Sequence, residues 1–278
     1  MKLSNIFSIF ILLLTPLMLD AKEGDRVVVG DRAPEIISAY YIAKHQPLDT
    51  LKSKLVESGF TILASSHPLK GVTNLTLTNK QLKATNSFAS TINLVVNGTK
   101  EIRVQNPSYF GAAYLQDKFI YGQFKDTQNA LKTALGELFC SKDELEFDEL
   151  ESYHFMIGMP YFEETIYVGS DINRTNISDR NSFISYSLKL SNGSILVGHK
   201  LEKDTNLFLH KLDESHNSLI LPYKSMIIDD KAITLDPKYY LALSLPLLTM
   251  KDFMKIAKTP KKIIRDIKKA YNRHSSPL

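Results

Sequence analysis

Residues 92–115 read INLVVNGTKEIRVQNPSYFGAAYL, and residues 224–245 read KSMIIDDKAITLDPKYYLALSL. Each stretch contains an apolar strand, a two-residue polar turn, a second strand, and then Asn or Asp before Pro. The turn at 97–98 is Asn-Gly, which favours a tight hairpin because both residues tolerate a positive φ. Asn106 and Asp236 can cap a helix, and the Pro after each is tolerated at the first helical position. The pattern therefore predicts a hairpin followed by a helix in both places.

The two stretches also match position by position through the helix. The matched residues are Pro107 with Pro237, Tyr109 with Tyr239, Phe110 with Tyr240, Ala112 with Ala242, and Leu115 with Leu245. Internal repetition of this kind indicates a duplicated unit. The predicted fold class is α+β, with two related halves, each an antiparallel sheet that contains the hairpin and packs with helices, joined by a helical connector.

The chain divides into five segments on this interpretation. They are a signal peptide at 1–21, an N-terminal α+β domain at 36–122, a helical acidic connector at 123–152, a C-terminal α+β domain at 153–250 and a basic amphipathic helix at 251–278. The connector ends in the run KDELEFDELE, which is typical of a solvated face. A strand–helix–strand unit opens the first domain but is not visible in the second. Either the second copy has diverged, or the repeat covers only the hairpin and helix.

Residues 1–21 have the three parts of a secretory signal. Lys2 supplies the positive charge, residues 6–19 are apolar, and Ala21 ends a small-residue cleavage motif. A membrane anchor is the alternative, but the apolar run is shorter than the roughly 20 residues that a span needs, and Pro16 interrupts it. The sequence therefore predicts a periplasmic protein that is cleaved near Ala21.

Cys140 is the single cysteine, so the chain cannot form an internal disulfide. It follows Leu138 and Phe139, and a cysteine in apolar surroundings is more typical of a small buried residue than of a reactive thiol. Stability then depends on a packed core, for which the chain is long enough.

One part of the first domain resembles a known family. Residues 48–60 read LDTLKSKLVESGF and run into TILASSHPLKG, and the hairpin INLVVNGTKEIRVQNPSYF follows at 92–110. Over roughly residues 36–115 this arrangement resembles the domain-of-unknown-function family 302. The resemblance implies a small α+β domain, often exported or fused to other modules, with no established general activity.

Three residues suggest a soft-metal site. His154, Met156 and Met159 carry imidazole and thioether groups, which suit Cu(I), and an exported protein can meet copper. The alternative is that the two methionines are adaptable core residues. No zinc, redox or haem motif occurs in the sequence, so no cofactor is predicted. Copper handling is therefore an alternative function.

Three tyrosines are candidates for ligand binding. Tyr109, Tyr239 and Tyr240 lie at the start of the two repeated helices. A phenol offers an apolar body and one polar group, so these side chains can line a ligand cleft between hairpin and helix. The alternative is that they belong to the core beside the hairpins.

The sequence lacks the short motifs of nucleophilic catalysis and of phosphate binding. Residues that are distant in sequence can still assemble a catalytic site. An enzyme with a site between the two halves therefore remains an alternative. The motifs favour an exported binding or accessory protein that is not a catalyst, with an unknown ligand or a periplasmic protein as its partner.

The C-terminal segment concentrates positive charge. Residues 251–278 carry nine Lys and Arg against two Asp, whereas the whole chain has a net charge of +4, so the remainder is acidic. Docking on the protein's own domain, or solvation, is favoured over weak contact with a membrane surface. No nucleic-acid partner is expected for an exported chain with an acidic remainder.

Asn173 is the candidate for glycosylation. Five Asn-x-Ser/Thr triplets occur, at Asn74, Asn97, Asn173, Asn176 and Asn192, and only Asn173 has an acidic residue, Asp171, two places before it. That longer pattern resembles the acceptor of bacterial N-glycosylation systems. The polar stretch at 169–181 is expected to be an exposed loop, where a glycan is tolerated.

We expect protein from a native host with such a system to carry a glycan at Asn173. Intact-mass measurement, repeated on Asn173→Gln, checks this. An unmodified mass in a host that glycosylates other sites of this pattern would contradict the prediction.

Overall fold

A computed structural model describes residues 24–27, 29–30, 32–98, 101–174, 177, 181–212 and 215–272. It shows an α+β fold with antiparallel sheets. The predicted signal peptide at 1–21, with its cleavage site, lies outside the described residues. So do the last six residues of the basic segment.

The first half is built on a six-stranded antiparallel sheet. Its elements in chain order are β1 (Ile36–Ser38), β2 (Tyr40–Lys44), α1 (Leu48–Glu57), β3 (Thr61–Ser66), β4 (Val72–Thr78), α2 (Lys80–Lys83), β5 (Ile92–Asn97), β6 (Glu101–Gln105), α3 (Pro107–Leu115), α4 (Lys125–Leu135), β7 (Phe139–Cys140) and β8 (Glu144–Glu146). The strand order is β3-β4-β5-β6-β2-β7, and β1 pairs with β8 in a separate ribbon.

The second half is built on a five-stranded antiparallel sheet of order β10-β11-β12-β13-β9. Its elements are β9 (Ile166–Gly169), β10 (Ile184–Lys189), β11 (Ile195–His199), α5 (Lys203–Asn206), α6 (Phe208–Lys211), β12 (Tyr223–Ile228), β13 (Lys231–Thr234), α7 (Pro237–Ser244), α8 (Met250–Lys255) and α9 (Thr259–Asn272). Short 3-10 helices lie at Phe88–Ser90, Gln116–Lys118, Phe147–Glu149 and Ser215–Ile220.

The predicted repeat is confirmed as secondary structure. The hairpin β5–β6 leads into α3, and the hairpin β12–β13 leads into α7. Asn106 and Asp236 each accept a hydrogen bond from the second amide after them, with Pro at the first helical position, as the cap pattern requires.

The agreement between the two sheets extends beyond the hairpin and helix. In both halves the first strand (β2 or β9) lies beside the last strand (β6 or β13), and the three strands between follow in the same order. The first hairpin of each sheet also has an irregularity at the same place, between Ile62 and Ala64 in β3 and between Ile184 and Tyr186 in β10. The described residues between β9 and β10 form no helix, so α1 has no counterpart there. The two halves therefore share the order of their strands and differ in the connection between the first two of them.

The two halves meet through α3 and α7, and the contact is reciprocal. The hydroxyl of Tyr109 in α3 donates to the carbonyl oxygen of Leu243 in α7 at 2.8 Å. The hydroxyl of Tyr239 in α7 donates to the carbonyl oxygen of Ala113 in α3 at 3.4 Å. Tyr109 matches Tyr239 in the repeat, and Ala113 matches Leu243, so one contact is made in both directions. This is the geometry of an isologous interface.

Each helix of this pair is also packed on its own sheet. The ring of Phe110 in α3 lies 6.0 Å from that of Tyr40 in β2, and the ring of Tyr240 in α7 lies 4.9 Å from that of Tyr223 in β12. Nearly every residue of both helices is buried. Helices that are apolar on all sides are buried ones, and this pair lies between the two sheets.

The prediction of a helical acidic connector at 123–152 is wrong beyond α4. Strand β7 pairs with β2 and strand β8 pairs with β1, so this segment extends the first half. The alternation of Glu144, Leu145, Glu146 and Phe147 has the period of a strand, which explains the structure. Cys140 in β7 is buried, as predicted, and burial raises the pKa of its thiol.

The basic C-terminal segment docks on the second half. Ile263, Ile267 and Ala270 of α9 are buried. Asp266, also buried, accepts hydrogen bonds from the hydroxyl of Thr205 at 2.7 Å and from the amide of Glu202 at 3.0 Å. Within the described part of the chain, no helix is both long enough and apolar enough to cross a membrane.

Lys224 in β12 is a buried cation that links the two halves. Its ammonium group donates to the carbonyl oxygen of Thr91 at 2.9 Å and to that of Phe88 at 3.3 Å, both in the first half. Burial lowers the pKa of Lys224 to about 7, because removal from water disfavours the charged form.

This burial predicts a pH dependence of stability. Above pH 7 the unfolded chain retains a proton on Lys224 that the folded chain releases, since an unperturbed lysine titrates near pH ~10.4. The free energy of unfolding should therefore rise between about pH 7 and 10, by at most about 1.4 kcal/mol per pH unit from this group. Lys224→Met should reduce that slope in urea unfolding, and Lys231→Met, at an exposed position of the same hairpin, should not. Equal slopes in all three proteins would contradict the prediction.

Candidate ligand-binding site

A cleft of about 870 Å³ opens beside the point where the edge strands β3 and β10 approach each other. One wall is formed by residues 65–73, which are the end of β3, the following loop and the start of β4. The opposite wall comes from the second half, with contributions from β10, the end of β11, α5 and α6. Small-molecule sites usually have volumes of about 300–1,000 Å³, so the cleft has the size of a ligand site.

The first half is tied to the base of this cleft by asparagine side chains. The amide of Asn74 in β4 donates to the carbonyl oxygens of Ser218 at 2.6 Å and Leu221 at 2.8 Å, and the amide of Asn93 in β5 donates to that of Leu219 at 2.7 Å. These bonds are buried, and they fix the chain that leads to the cleft residues Leu221 and Pro222.

The outer part of the cleft is positively charged. Its exposed basic side chains, which we call the basic rim, are Lys70, Lys200, Lys203, His67 and His210. The lining that the structure describes contains no carboxylate. The three lysines of the rim make no ion pair with any described residue.

The acids nearest to the rim in sequence are held by α9. Glu202 pairs with Arg265 at 3.1 Å, and Asp204 pairs with Lys262 at 2.9 Å. Lys269 also pairs with Glu202. Because these carboxylates are directed to α9, they do not neutralise the lysines that line the cleft.

Three residues of the cleft lining, which we call the polar floor, each bury a polar atom beneath the surface. The atoms are Oγ of Ser185, Nδ1 of His199 and Oδ1 of Asn206, and none has a hydrogen-bond partner among the described residues. A buried polar atom without a partner costs about 1–3 kcal/mol, so native proteins rarely keep one without a reason.

His199 has a defined protonation state. Its Nε2 lies 2.7 Å from the hydroxyl of Ser225 and 3.2 Å from that of Tyr271. Burial lowers the pKa of His199 to about 3, so the ring is neutral at physiological pH. A neutral imidazole has one donor and one acceptor nitrogen, and Nδ1 has no hydrogen-bond partner among the described residues.

Apolar side chains complete the walls of the cleft. They are Pro68, Leu69, Val72, Leu201, Leu207, Leu221 and Pro222. The cleft therefore offers a cationic rim, apolar walls and a small polar floor, a combination that fixes the orientation of a bound molecule.

The tyrosines predicted to bind ligand lie elsewhere. Tyr109, Tyr239 and Tyr240 are each at most 2% exposed. Their hydroxyls donate to main-chain carbonyl oxygens, in the case of Tyr240 to that of Ile220 at 2.9 Å. The structure assigns them to the core between the halves, because a helix pair buried on all sides leaves no cleft beside it.

The predicted soft-metal residues lie in a loop. The ring of His154 stacks on Tyr161 with 4.5 Å between centroids, Met156 is exposed, and Met159 packs against the core. Among the described residues, no three His, Cys, Asp or Glu side chains are grouped to hold a metal ion. Copper binding through methionine stays a prediction.

Asn173 is exposed and follows β9, where the sequence predicts a loop. Thr175, the third residue of its triplet, lies outside the described residues. Asn74, in another of the triplets, is buried and hydrogen-bonded. The glycosylation hypothesis stays a prediction for Asn173.

Comparison of the chain with protein-family models, with curated proteins and with solved structures finds no match. The resemblance of residues 36–115 to the domain-of-unknown-function family 302 therefore stays a prediction. The cleft has to be interpreted from its own residues.

The polar floor predicts an unusual response to mutation. Ser185→Ala removes a hydroxyl without a partner, so the free energy of unfolding should stay constant or rise. Ser225→Ala removes the partner of His199, so it should lower that free energy by about 1–3 kcal/mol. Urea unfolding of both variants checks this. A loss for Ser185→Ala as large as that for Ser225→Ala would show that Ser185 has a partner within the fold.

Proposed function

We propose that this protein is an exported, periplasmic binding or accessory protein that holds a small organic anion in the cleft between its two halves. The observation that carries the proposal is the charge of the cleft. Lys70, Lys200 and Lys203 line it without a carboxylate among the described lining residues. A cleft of one charge sign raises the local concentration of ligands of the opposite sign.

The apolar walls support a ligand with a carbon skeleton. Leu69 and Leu201 are buried beside the basic rim, and Leu207 is half exposed at it. An inorganic anion would leave these walls without a partner. An organic anion would cover them and place its charge near the lysines.

Binding is favoured over catalysis by the state of His199. A general base works best when its pKa is near the working pH, whereas burial lowers the pKa of His199 to about 3. Ser185 has no hydrogen bond to a base among the described residues, so it is not an activated nucleophile.

The proposal also includes export to the periplasm and a likeness to the domain-of-unknown-function family 302. The signal-like residues 1–21 support export. The common strand order of the two sheets supports the inference that both halves descend from one domain that resembles the domain-of-unknown-function family 302.

Two fluorescent probes with the same ring system test the proposal. Anilinonaphthalene sulfonate carries an anionic group, and N-phenyl-1-naphthylamine lacks it. We expect the sulfonate to bind more tightly, and Lys200→Ala/Lys203→Ala to weaken it by about tenfold, in line with two charged contacts of about 0.5–1 kcal/mol each. Binding of the neutral probe should change little.

The matched control is Lys231→Ala/Lys238→Ala, which removes two exposed lysines outside the cleft. It should leave both titrations unchanged. If the sulfonate binds equally to all three proteins, or no more tightly than the neutral probe, the cleft is not an anion site.

A further inference from the structure

We propose that the protein has a second anion site at the opposite end of the approach between β3 and β10, and that this site takes a small inorganic oxyanion such as phosphate or sulfate. A depression of about 320 Å³, which we call the small pocket, lies there. Its described lining consists of Gly59, Thr61, Asn79, Lys80, Lys83, Ala84 and Ser191. None of these residues lines the cleft, so the two sites are separate.

The small pocket and the cleft occupy equivalent places in the fold. The cleft combines the end of β3 with the start of β10, whereas the small pocket combines the start of β3 with the turn that follows β10. The cleft also uses the segment after β11, and the small pocket uses the segment after β4. The strands β3 and β4 hold the same places in one sheet as β10 and β11 hold in the other. Exchanging the two halves therefore turns one site into the other.

A basic side chain stands at the equivalent helix in both sites. Lys203, which lines the cleft, is the first residue of α5, and Lys80, which lines the small pocket, is the first residue of α2. Lys83 adds a second exposed ammonium group to the small pocket. Residues three apart on a helix lie on one face, so Lys80 and Lys83 can contact the same anion.

The charge of the small pocket is not neutralised within the described structure. No carboxylate belongs to its described lining, and neither Lys80 nor Lys83 makes an ion pair with a described residue. Like charges on one helix face repel each other, and an anion between them removes that repulsion. Thr61 is exposed, and its hydroxyl makes no hydrogen bond to a described residue, so it supplies a further donor. The pocket thus offers donors and positive charge to an acceptor.

The lining of the small pocket favours an anion without a carbon skeleton. Ala84 supplies the only apolar side chain of its described lining, whereas the cleft has walls of leucine and proline. Its volume is at the lower end of the range of about 300–1,000 Å³ that is usual for small-molecule sites. Phosphate and sulfate present only oxygen acceptors, and their hydrogen bonds to ammonium groups are strengthened by charge.

Hydrogen bonds hold the backbone of the small pocket in place. Oδ1 of Asn86 accepts from the hydroxyl of Ser191 at 2.9 Å and from the amide of Asn192 at 3.2 Å, which ties the turn after β10 to the first half. The side chain of Asn79 accepts from the amide of Leu82 at 2.8 Å and so caps α2. A site on a fixed backbone loses little freedom when an anion binds.

Titration of isotope-labelled protein with inorganic phosphate at constant ionic strength, followed by the NMR signals of the backbone amides, tests the proposal. We expect saturable shifts at residues 79–84 and at Ser191. Lys80→Ala/Lys83→Ala should raise the phosphate concentration at half-saturation about tenfold, because two charged contacts are lost. The matched control Lys231→Ala/Lys238→Ala removes two exposed lysines outside both sites and should titrate as the parent protein does.

Two further ligands define the class of anion. Sulfate should shift the same amides as phosphate does. Phenyl phosphate adds an apolar ring to the same charged group, and it should bind at residues 79–84 no more tightly than inorganic phosphate. Tighter binding of phenyl phosphate there would contradict the assignment to an inorganic anion.

The position of the shifts separates this site from the cleft. Shifts that grow without saturation would overturn the second site, as would equal half-saturation in the parent protein and Lys80→Ala/Lys83→Ala. Saturable shifts confined to the cleft residues 65–73 and 199–207 would overturn it as well. Anilinonaphthalene sulfonate should bind Lys80→Ala/Lys83→Ala as it binds the parent protein, so the failure of either site can be recognised without the other.

Discussion

The fold depends on the reciprocal contact between α3 and α7. Each helix is buried on all sides, and each uses a tyrosine near its start to satisfy a carbonyl oxygen near the end of the other, as Tyr109 and Tyr239 show. A carbonyl in the last turn of a helix has no partner within that helix, so a buried helix end needs one from outside. Neither half can bury its central helix in this way without the other half.

The cleft forms where the two halves differ in the segments that surround their similar sheets. The sheets have one strand order, so their equivalent edges β3 and β10 approach each other. Around that approach the halves differ, because the first contributes the loop at 67–71 and the second contributes α5 and α6. The helix α9 then binds the acids Glu202 and Asp204 and leaves the lysines to the cleft. A nearly symmetric frame thus holds one asymmetric, positively charged site.

The local parts of this fold were predictable, and the non-local parts were not. Turns and helix caps are determined by residues a few positions apart, so the hairpins and the helices that follow them could be predicted from the sequence. The order of the second sheet depends on β9, which has four residues and pairs with β13 far along the chain. In the run KDELEFDELE the high charge suggested a solvated face, and the alternation of charged and apolar residues that is typical of a strand was overlooked. The site was hidden for the same reason, since Lys70, Ser185 and Asn206 are far apart in sequence and line one cleft only in the folded protein, and none stands in a motif.

The reciprocal helix contact has a consequence for how two such halves can associate. A contact made twice in opposite directions is one that two separate copies of a single half can form with each other. Joining the copies in one polypeptide replaces association between molecules by association within one, at an effective concentration that no longer depends on the amount of protein. Each copy can then change without changing its partner. Among the described residues, helix α1 belongs to the first half alone and the charged helix α9 to the second alone, differences that a symmetric pair of identical copies could not hold.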